Sequence, residues 1–448
     1  MYSPQVEKAL KAKKIKVGDR VRVTKSGFVV EGLLLPRIDL ADTSSLVIKQ
    51  GNGYNVGIRY EKGVKIDVVT KGRPIEVNHA SMEEMKDSGK PLLSVLGAGG
   101  TIASRVEYDT GAVFPEFSPG DLMHSFPQLR SIANIRGKEL FRLFSEDMTP
   151  DHWKMIAKEA TKEINSGSHG VVLMHGTDTM NYTAAALSFM LQNLPVPIVL
   201  VGAQRSSDRG SSDNMVNLVC ASQAAAHGDV AEVSVCMHAT SNDDYCYLHQ
   251  GNRVRKMHTS RRDAFRSVNS MPFAKVWYND RKIEYLRDNY SKRGDRKLRL
   301  DDKMNPDVGL IQIHPGIKPE FIEGCKKIFD GLVISGTGLG HVPTNPSNEK
   351  FARSLVPAIK SLIDSDVPVV MAPQTLYGRL DLNVYSAGRL LNKAGVIGDG
   401  ADWLPETALV KLMWVLGHTK DMEKVREMMT TNFAGELSKE IEIGTFLI

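Results

Sequence analysis

The chain has 448 residues and a mass of 49.4 kDa, which is long for a single hydrophobic core, so we expect two or three domains. Its 42% hydrophobic and 24% charged residues are typical of a soluble globular protein, and no apolar run is long enough to span a bilayer. The Lys-rich amino terminus lacks the apolar core of a signal peptide, and the four cysteines show no C-x-x-C spacing. Composition thus argues against a membrane protein, a disulfide framework and a zinc site, and it predicts a cytoplasmic enzyme.

The net charge of +5 lies in the first fifth of the chain. Residues 1–90 hold 17 of the 57 Lys and Arg but 11 of the 52 Asp and Glu, and the remainder holds 40 basic against 41 acidic residues. Basic surfaces attract nucleic acid or acidic protein, although a solvated charged face is the simpler explanation for each residue taken singly. The candidate basic edge consists of Lys8, Lys11, Lys13, Lys14, Lys16, Arg20 and Arg22.

Five short runs rich in strand-forming residues, separated by turn signals, follow the amino terminus. This pattern is typical of short strands, so residues 1–80 are predicted to form a small all-β barrel domain. The stretch from residue 77 to residue 90 is polar and strongly charged, as in a linker, and places a domain boundary near Lys90. The five predicted strands cover residues 17–23, 28–35, 46–50, 54–60 and 64–69.

A strand at residues 91–96 is followed by the glycine-rich loop Gly97-Ala98-Gly99-Gly100-Thr101. The loop lacks both nucleotide signatures. A dinucleotide fingerprint starting at Gly97 needs a glycine where Ile102 stands, and the G-x-x-x-x-G-K-[ST] pattern of P-loops occurs nowhere in the chain. Glycines here allow the backbone to approach a small substrate while Thr101 presents its hydroxyl. A plain strand-to-loop turn explains the glycines equally well.

Beyond this loop, strands alternate with helices, which is the spacing of a parallel sheet. The pattern predicts a larger α/β domain over residues 91–295 and a smaller one over residues 305–448, with a linker at the end of the Arg- and Lys-rich region 253–303. Ligand sites are common at domain interfaces, so we expect the chemistry between these two domains. The predicted strands cover residues 170–174, 197–202, 233–237, 308–313, 331–335 and 367–372, and the predicted helices cover residues 149–166, 183–191, 215–226, 351–365, 384–393, 405–416 and 421–430.

The uncharged run at residues 170–174 predicts a central buried strand, and it ends in residues 175–179, His-Gly-Thr-Asp-Thr. Ligands of parallel sheets bind beyond the carboxyl ends of the strands, where Thr177 and Asp178 would stand. Asp178 or Thr179 could instead cap a helix from Asn181 to Leu191, because Asp and Thr are ordinary capping residues. For this stretch alone, both interpretations are open.

Two loop threonines with an adjacent aspartate, and one lysine in a basic segment, suggest hydrolysis through a hydroxyl nucleophile. A threonine hydroxyl near its ordinary pKa is a poor nucleophile and needs a base within hydrogen-bond reach. Lys256 is the only lysine between Ala231 and Ala274, and it can serve if burial and a neighbouring carboxylate such as Asp178 tune it. The sequence alone does not place Lys256 next to Thr177.

Two of these motifs together resemble the signatures of the asparaginase and glutaminase family: residues 99–103, Gly-Gly-Thr-Ile-Ala, and residues 175–180, His-Gly-Thr-Asp-Thr-Met. Their order and separation match the family as well. The similarity extends through residues 145–148, residues 201–205 and the segment around Lys256, so that it covers roughly residues 91–448. The resemblance implies two parallel-sheet α/β domains of the asparaginase type, here preceded by the small all-β barrel domain.

The resemblance also implies roles for the motif residues. Thr101 would be the nucleophile that forms an acyl-enzyme with the substrate amide carbonyl, and Thr177, Asp178 and Lys256 would form the second, activating group. Asp178 would also hold the substrate α-ammonium, and Ser145 would hold its α-carboxylate. No metal ligand is expected. The residues expected to bind substrate are Gly100, Ser145, Glu146 and Gly176.

The chain departs from the family pattern at two positions. Ala98 stands where the family commonly has threonine, and Glu146 stands where many bacterial members have glutamine. Neither departure removes a catalytic group, but both bear on affinity. The family tyrosine that assists the nucleophile has no secure counterpart, because Tyr108 is the only tyrosine in residues 104–115 and is not clearly in register.

With the barrel in front, the chain resembles the asparaginase-like subunits of archaeal tRNA-dependent amidotransferases. That resemblance implies that this chain hydrolyses glutamine and that a synthetase-like partner, the E subunit, uses the ammonia with ATP and Mg to convert glutamyl-tRNA(Gln) to glutaminyl-tRNA(Gln). No cofactor is expected in this chain, which agrees with the missing nucleotide motifs. The implied assembly is a homodimer core within a two-plus-two heterotetramer. The alternatives are a free-standing cytoplasmic L-asparaginase or glutaminase, and a tRNA-binding scaffold with an inactive amidase core.

Overall fold

The computed structural model describes residues 2–35, 42–50, 55–71, 89–99, 104–106, 113–115, 128–205 and 211–446. The amino-terminal part begins with helix α1 (Pro4–Ala12), which the sequence pattern does not predict. The strands that follow are β1 (Arg20–Lys25), β2 (Phe28–Leu34), β3 (Ser45–Lys49), β4 (Asn55–Arg59) and β5 (Lys65–Thr70). They form one antiparallel sheet in the order β4-β3-β2-β1-β5, so all five predicted strands are present.

The core of this amino-terminal part follows from the period of two along the strands. Val21 and Val23 of β1 point to the same face and are completely buried, as alternation requires. Val6 and Leu10 of α1 lie one turn apart on the helix and pack into the same apolar cluster. Helix α1 therefore contributes to the core of the β domain rather than extending from it.

The predicted basic edge is partly neutralised on the surface. Arg20 and Arg22 both form ion pairs with Glu31 on the neighbouring strand, at 3.1 Å and 2.8 Å. Lys13 forms an ion pair with Asp67 at 3.0 Å. Among the described residues, the exposed lysines of this edge without a carboxylate within 4.0 Å are Lys8, Lys14 and Lys16.

The larger α/β part is built on an eight-stranded sheet. Its elements are β6 (Leu92–Gly97), β7 (Ser104–Val106), β8 (Val113–Pro115), α2 (Leu129–Ile132), β9 (Asn134–Glu139), α3 (Pro150–Asn165), β10 (Gly170–Met174), α4 (Met180–Met190), β11 (Leu191–Gln192), β12 (Ile198–Val201), α5 (Asn214–His227), β13 (Val233–His238), β14 (Tyr245–Gln250), β15 (Val254–Lys256), β16 (Phe265–Ser267), β17 (Ala274–Trp277), β18 (Ile283–Tyr285) and β19 (Arg299–Leu300).

The strands pair in the order β18-β17-β14-β13-β12-β10-β6-β9. Five of them, β9, β6, β10, β12 and β13, run parallel, and the sequence pattern predicts all of these except β9. The remaining three, β14, β17 and β18, are antiparallel. Residues 253–303 are therefore more ordered than predicted, because β17 and β18 extend the sheet from within them. Every residue of β10 is buried. Helices α3 and α4 cover one face of the sheet, and α2 and α5 cover the other.

The smaller α/β part has a parallel sheet of three strands that pair in chain order. Its elements are β20 (Val308–Gln312), α6 (Pro319–Cys325), β21 (Gly331–Gly336), α7 (Val356–Ile363), β22 (Val369–Pro373), α8 (Ser386–Ala394), α9 (Pro405–Leu416) and α10 (Met422–Thr430). The ring of Trp414 on α9 stacks on Phe189 of α4, with ring centroids 5.9 Å apart. One continuous apolar cluster therefore joins the two α/β parts.

Buried ion pairs hold the residues after α10 in place. Lys411 of α9 contacts Glu436 at 2.6 Å, with both side chains fully buried. Arg253 contacts Asp402 at 2.9 Å, and its Nη2 also donates to the Ser438 hydroxyl at 2.7 Å. Removing one partner of such a pair leaves a buried charge and costs about 3–5 kcal/mol. The carboxyl-terminal segment is therefore an integral part of the junction between the two α/β parts.

Candidate active site

The candidate catalytic residues lie where β10 ends. After Met174 the chain continues through His175, Gly176 and Thr177, all of which are buried. Strand β6 lies beside β10 in parallel register, and the amide of Ala98 donates to the carbonyl of Met174 at 2.9 Å. The loops that follow β6 and β10 therefore start side by side at the same edge of the sheet, where ligands of parallel sheets bind.

Lys256 reaches this edge from β15, which is paired with β16. Its ammonium donates to Thr177 Oγ1 at 2.9 Å and to Asp178 Oδ1 at 2.8 Å. The Lys256 side chain is 12% exposed and the Asp178 side chain 66% exposed. The ammonium thus lies between a buried hydroxyl and a carboxylate open to solvent. This arrangement places a lysine and a threonine within the distance that proton transfer requires.

A buried chain of hydrogen bonds fixes the turn that carries Thr177. Trp153 Nε1 donates to the Thr183 hydroxyl at 3.0 Å, and that hydroxyl lies 2.8 Å from His175 Nε2. His175 Nδ1 lies 2.7 Å from the carbonyl of Gly176. All three contacts are satisfied when Nδ1 carries the proton and Nε2 accepts from Thr183. Burial lowers the pKa of His175 to about 4, so the ring is neutral at pH 7.

Ser145 packs directly against Gly176. The serine opens a single 3-10 turn, Ser145–Asp147, and is buried. A Cβ atom on residue 176 would lie 2.7 Å from Ser145 Cβ and 2.8 Å from its Oγ, so any larger residue there would displace the serine. The hydroxyl of Thr179 donates to the Ser145 carbonyl at 2.6 Å and ties the serine to the start of α4.

Neither Asp178 nor Thr179 caps α4 with its side chain. Thr179 occupies the N-cap position, but its side chain makes no capping hydrogen bond within the described chain and contacts Ser145 instead. The Asp178 carboxylate contacts Lys256. The capping interpretation of this stretch is therefore wrong, because both side chains are engaged with segments distant in sequence.

Three of the predicted site residues make none of the contacts described above or cannot be placed. Glu146 is exposed in the 3-10 turn beside Ser145. Gly100 and Thr101 lie outside the described residues. The nearest described residue is Gly99, which has a φ of +83°, and a Cβ there would overlap the carbonyl of Leu143. Gly99 therefore lies directly against Leu143, two positions before Ser145.

The loop after β12 closes the site on its other side. A Cβ atom on Gly202 would lie 2.7 Å from the His175 carbonyl and 2.9 Å from Thr177 Cγ2, so only glycine permits this approach. The buried carboxylate of Asp213 accepts hydrogen bonds from the amides of Gln204 and Arg205 at 3.0–3.1 Å. Asp213 thereby holds the loop against the turn that carries Thr177.

No group of three or more His, Cys, Asp or Glu side chains is arranged to hold a metal ion within the described ranges. All four cysteines are buried free thiols. No helix in the described part of the chain is long and apolar enough to cross a membrane.

Family comparisons divide the chain into three matched stretches. Residues 92–290 match the family described as "Asparaginase, N-terminal", and residues 307–429 match "Glutaminase/Asparaginase C-terminal domain". Residues 15–69 match "GatD N-terminal domain". The last match covers the antiparallel sheet in front of the two α/β parts.

Full-length relatives decide the family. The chain is 51% identical over 449 residues to the D subunit of glutamyl-tRNA(Gln) amidotransferase from Pyrococcus furiosus, covering 99% of this chain and 100% of that protein. The D subunit from Methanothermobacter thermautotrophicus is 46% identical over 446 residues, covering 99% of each chain. The chain belongs to the family of glutamyl-tRNA(Gln) amidotransferase D subunits. The resemblance inferred from the sequence motifs is thereby confirmed.

A solved structure confirms the fold class of this D-subunit family member. The thermostable L-asparaginase from Thermococcus kodakarensis is 34% identical, superposes with a TM-score of 0.68, and covers 78% of this chain and 100% of its own. The D-subunit relatives, in contrast, also cover the amino-terminal β domain. The alternative of a free-standing asparaginase is therefore not favoured.

Sequence reasoning missed the residues that support the catalytic turn. Trp153 and Thr183 carry no motif signal, and His175 and Thr179 enter only as letters of a motif. One signal for Thr183 is available, because it is a polar residue directly before the apolar run Ala-Ala-Ala-Leu of helix α4. A buried hydroxyl in such a helix requires a hydrogen-bond partner, and here it has two.

Proposed function

We propose that this chain is the glutamine-hydrolysing component of a cytoplasmic, tRNA-dependent amidotransferase. The observation that carries the proposal is the Lys256 ammonium held between Thr177 and Asp178 at the sheet edge where the loop towards Thr101 begins. Full-length similarity to the D-subunit proteins, including the amino-terminal β domain, supports the same assignment. The retained lysine, threonine and aspartate argue against an inactive scaffold.

In the proposed reaction, Thr101 is the nucleophile. Its hydroxyl oxygen bonds to the side-chain carbonyl carbon of glutamine, the C–N bond breaks, and ammonia leaves with the hydroxyl proton. A water molecule then adds to the ester, which releases glutamate and restores the threonine. As the neutral amine, Lys256 would accept the proton of the attacking hydroxyl or water through Thr177, and as the ammonium it would return that proton to the leaving ammonia or to Thr101. The balance is glutamine and water giving glutamate and ammonia.

Substrate binding would use the residues around this group. The Asp178 carboxylate, which is largely exposed, is suited to the α-ammonium of glutamine. Ser145, tied to α4 by Thr179 and packed on Gly176, would bind the α-carboxylate. Gly100 and Glu146 complete the proposed set. A substrate bound in this way is oriented at both charged ends, so its amide is presented in a defined direction.

The ammonia would be consumed by a partner, the E subunit, that activates the glutamate of glutamyl-tRNA(Gln) with ATP and Mg. Amidation of an unactivated carboxylate in water is uphill, and this sequence contains neither a P-loop nor a dinucleotide fingerprint. The chain would therefore supply ammonia without a cofactor of its own. The proposed assembly is a homodimer of this chain joined by two partner subunits.

The first test is the substitution Lys256→Ala, assayed as glutamate released from glutamine. A positioned acid-base group contributes about 10²- to 10⁴-fold to the rate, or roughly 3–5 kcal/mol of barrier, and kcat should fall by that factor with the circular dichroism unchanged. Thr101→Ala should lose at least as much. Lys275→Ala, which removes a half-buried lysine paired with Glu284, is the matched control. A Lys256→Ala protein within a few fold of wild type would disprove the assignment.

The division of labour is tested separately. The purified chain is incubated with glutamine, ATP and glutamyl-tRNA(Gln), with and without the partner that co-purifies, and both glutamate and glutaminyl-tRNA(Gln) are quantified. We expect glutaminyl-tRNA(Gln) only when the partner is present. Glutaminyl-tRNA(Gln) formed by the isolated chain would refute the proposal, and fast hydrolysis of free asparagine that is indifferent to partner and tRNA would favour a free-standing asparaginase.

A further inference from the structure

A cavity of about 1000 Å³ lies at the end of the larger sheet opposite to the strand ends that carry Thr177. It is lined by Ala231, Glu232 and Val233 at the amino end of β13, by residues 286–296 and by the carboxyl-terminal segment 432–445. Thr177 follows the carboxyl end of β10, which runs parallel to β12 and β13. Because a five-residue strand spans roughly 17 Å, the cavity is separate from the catalytic edge.

Arg287 brings a poorly solvated positive charge into the cavity wall. Its guanidinium lies over the ring of Phe273, with Cζ 4.1 Å from the ring centroid, and Nη2 donates to Gln250 Oε1 at 2.7 Å. Within the described residues, Nε is buried without a hydrogen-bond partner, and no carboxylate lies within 4.0 Å of the guanidinium. Burial lowers the pKa of Arg287 to about 10, which reflects the cost of holding this charge away from water.

Glu232 brings the opposite charge into the same wall. Its carboxylate accepts a hydrogen bond from the Ser291 amide at 2.7 Å. No Lys or Arg nitrogen in the part of the chain that the structure describes lies within 4.0 Å of it. Glu232 is half-buried, and burial raises the pKa of its carboxylate. Arg287 and Glu232 attract each other but are too far apart to form an ion pair.

Two half-buried charges of opposite sign that face one cavity without forming an ion pair are unusual, since charges partly removed from water are normally paired. A ligand that carries a carboxylate and an ammonium would pair both at once. The wall as a whole holds four basic and four acidic side chains, and this balance favours a ligand without net charge over a phosphate. We propose that the cavity binds a small zwitterionic amino acid, with its carboxylate on Arg287 and its ammonium on Glu232.

The geometry of Arg287 suits a carboxylate in particular. Phe273 beneath the guanidinium is completely buried and Gln250 anchors one nitrogen, so the planar group is held in one orientation. A fixed guanidinium plane binds a carboxylate through two parallel hydrogen bonds, which a lysine cannot reproduce. The proposal therefore predicts that arginine, and not merely positive charge, is needed at position 287.

The test is hydrogen exchange of the full-length chain read by mass spectrometry. L-Glutamate, L-glutamine and glycine are added as probes, with propionate and inorganic phosphate as probes that lack the ammonium. We expect the amino acids to protect amides in residues 231–233 and 286–296 and the other two probes to leave them unchanged. Reading protection by segment distinguishes this cavity from the catalytic edge, which glutamine also occupies in the proposed function.

The variants Arg287→Gln and Glu232→Gln should abolish this protection, weakening binding of the amino acids by roughly tenfold or more, as expected for lost charge-assisted hydrogen bonds. Arg287→Lys should weaken binding less than Arg287→Gln. Arg299→Gln, an exposed arginine outside the cavity, is the matched control and should behave as wild type. Basal glutamine hydrolysis should be unchanged in Arg287→Gln.

Three outcomes would overturn the proposal. Protection that persists in Arg287→Gln would place the ligand elsewhere. Protection by propionate or phosphate equal to that by the amino acids would show an anion site rather than a zwitterion site. The absence of protection with every probe would show that the cavity binds none of them. Melting curves of Arg287→Lys and Arg287→Gln within a few degrees of wild type would ensure that lost protection is not lost folding.

Discussion

Lys256 donates to a buried hydroxyl and to an exposed carboxylate, and the two contacts differ in strength. Its bond to Thr177 lies in dry surroundings, where electrostatic interactions are strong, whereas Asp178 faces water and salt. The ion pair with Asp178 is therefore worth little to stability, at most about 1 kcal/mol. The ion pair instead orients the Lys256 ammonium and keeps the Asp178 carboxylate at the opening of the site.

The buried ring of His175 should make the stability of the protein depend on pH in mild acid. Its pKa is lowered by burial from 6.5 to about 4, so between these two pH values the unfolded chain binds a proton that the folded chain excludes. Stability must then fall as the pH drops through this window, by about 3 kcal/mol in total for this one ring. His175→Gln removes the titration, so its melting temperature should fall less between pH 7 and pH 4.5 than that of wild type.

The control for this prediction is His258→Gln, because His258 is exposed. It should lose as much stability in acid as wild type does. His249 is also buried, and burial lowers its pKa to about 3, so part of the acid loss should remain in every variant. If His175→Gln and wild type lost stability in parallel over the whole window, the buried neutral ring of His175 would be disproved.

At the scale of elements, β15 connects the catalytic lysine to the smaller α/β part. Side chains alternate along a strand, so Lys256 and Val254 share one face of β15 while Arg255 points the other way, and Arg253 lies just before the strand. Arg253 pairs with Asp402, and Arg255 pairs with Glu406 at 3.1 Å. Both carboxylates belong to the smaller part. The two arginines therefore fix the strand that presents Lys256 to Thr177.

This arrangement predicts that Arg255 is a positioning residue for Lys256. Arg255→Gln should lower kcat by roughly 10- to 100-fold with a much smaller change in KM, because small displacements of a catalytic group cost rate rather than binding. Glu406→Gln should have a similar effect, and the double variant should be no worse than the stronger single one, since both remove the same contact. Arg255→Lys should restore part of the activity.

The matched control is Arg353→Gln, which breaks an exposed ion pair with Glu320 in the same smaller part. It should leave kcat unchanged. Additive losses in the Arg255 and Glu406 double variant, or a loss confined to KM, would contradict the positioning role.

The elements that the sequence predicts well are those with a strong local pattern. The strand β10 is five apolar residues between turn residues, and α9 begins at Pro405, a preferred first helical residue. The antiparallel strands β17 and β18 were not predicted, because they are three or four residues long and carry Lys275 and Glu284 on one face. Helix α1 also has local signals, Ser3 as the N-cap and Pro4 at the first position, although the prediction did not include a helix there.

The residues of the candidate site also differ in how well the sequence predicts them. Thr177 and Asp178 could be predicted because they follow a recognisable buried strand. The contact of Thr177 with Lys256 joins residues 79 positions apart in sequence, and the antiparallel pairing of β15 and β16 that brings the lysine there has no local signal. Contacts of this kind depend on the whole sheet, so the sequence supplied them only through resemblance to a family.

At the scale of the whole molecule, the catalytic motifs and the excess of basic charge occupy different parts of the chain. The proposed site residues all lie beyond residue 99, whereas the net positive charge lies within residues 1–90. The limits 1–80, 91–295 and 305–448 stay predictions for the domains. Several basic residues of the edge are paired with carboxylates, so its remaining positive potential comes mainly from Lys8, Lys14 and Lys16.

The last prediction is that these three lysines serve the coupling to tRNA and not the hydrolysis of glutamine. The variant with Lys8→Glu, Lys14→Glu and Lys16→Glu should hydrolyse glutamine at the wild-type rate, because no proposed catalytic group is in this domain. Amidation of glutamyl-tRNA(Gln) by the reconstituted complex should weaken, and it should become less sensitive to salt, since each lost phosphate contact removes about one unit from the salt dependence.

The matched control for this prediction is Lys326→Glu with Lys327→Glu, which reverses exposed charges on the smaller α/β part. It should leave both activities unchanged. Removal of residues 1–80 gives the limiting case, in which hydrolysis of glutamine should survive while assembly or amidation is lost. If amidation were lost on removal of the domain but unaffected by the three Lys→Glu changes, the domain would couple through protein contacts and not through RNA. If amidation were unaffected by the deletion as well, the amino-terminal domain would not be the coupling element, because neither its charge nor its presence would then bear on the transfer of ammonia to the tRNA-bound glutamate.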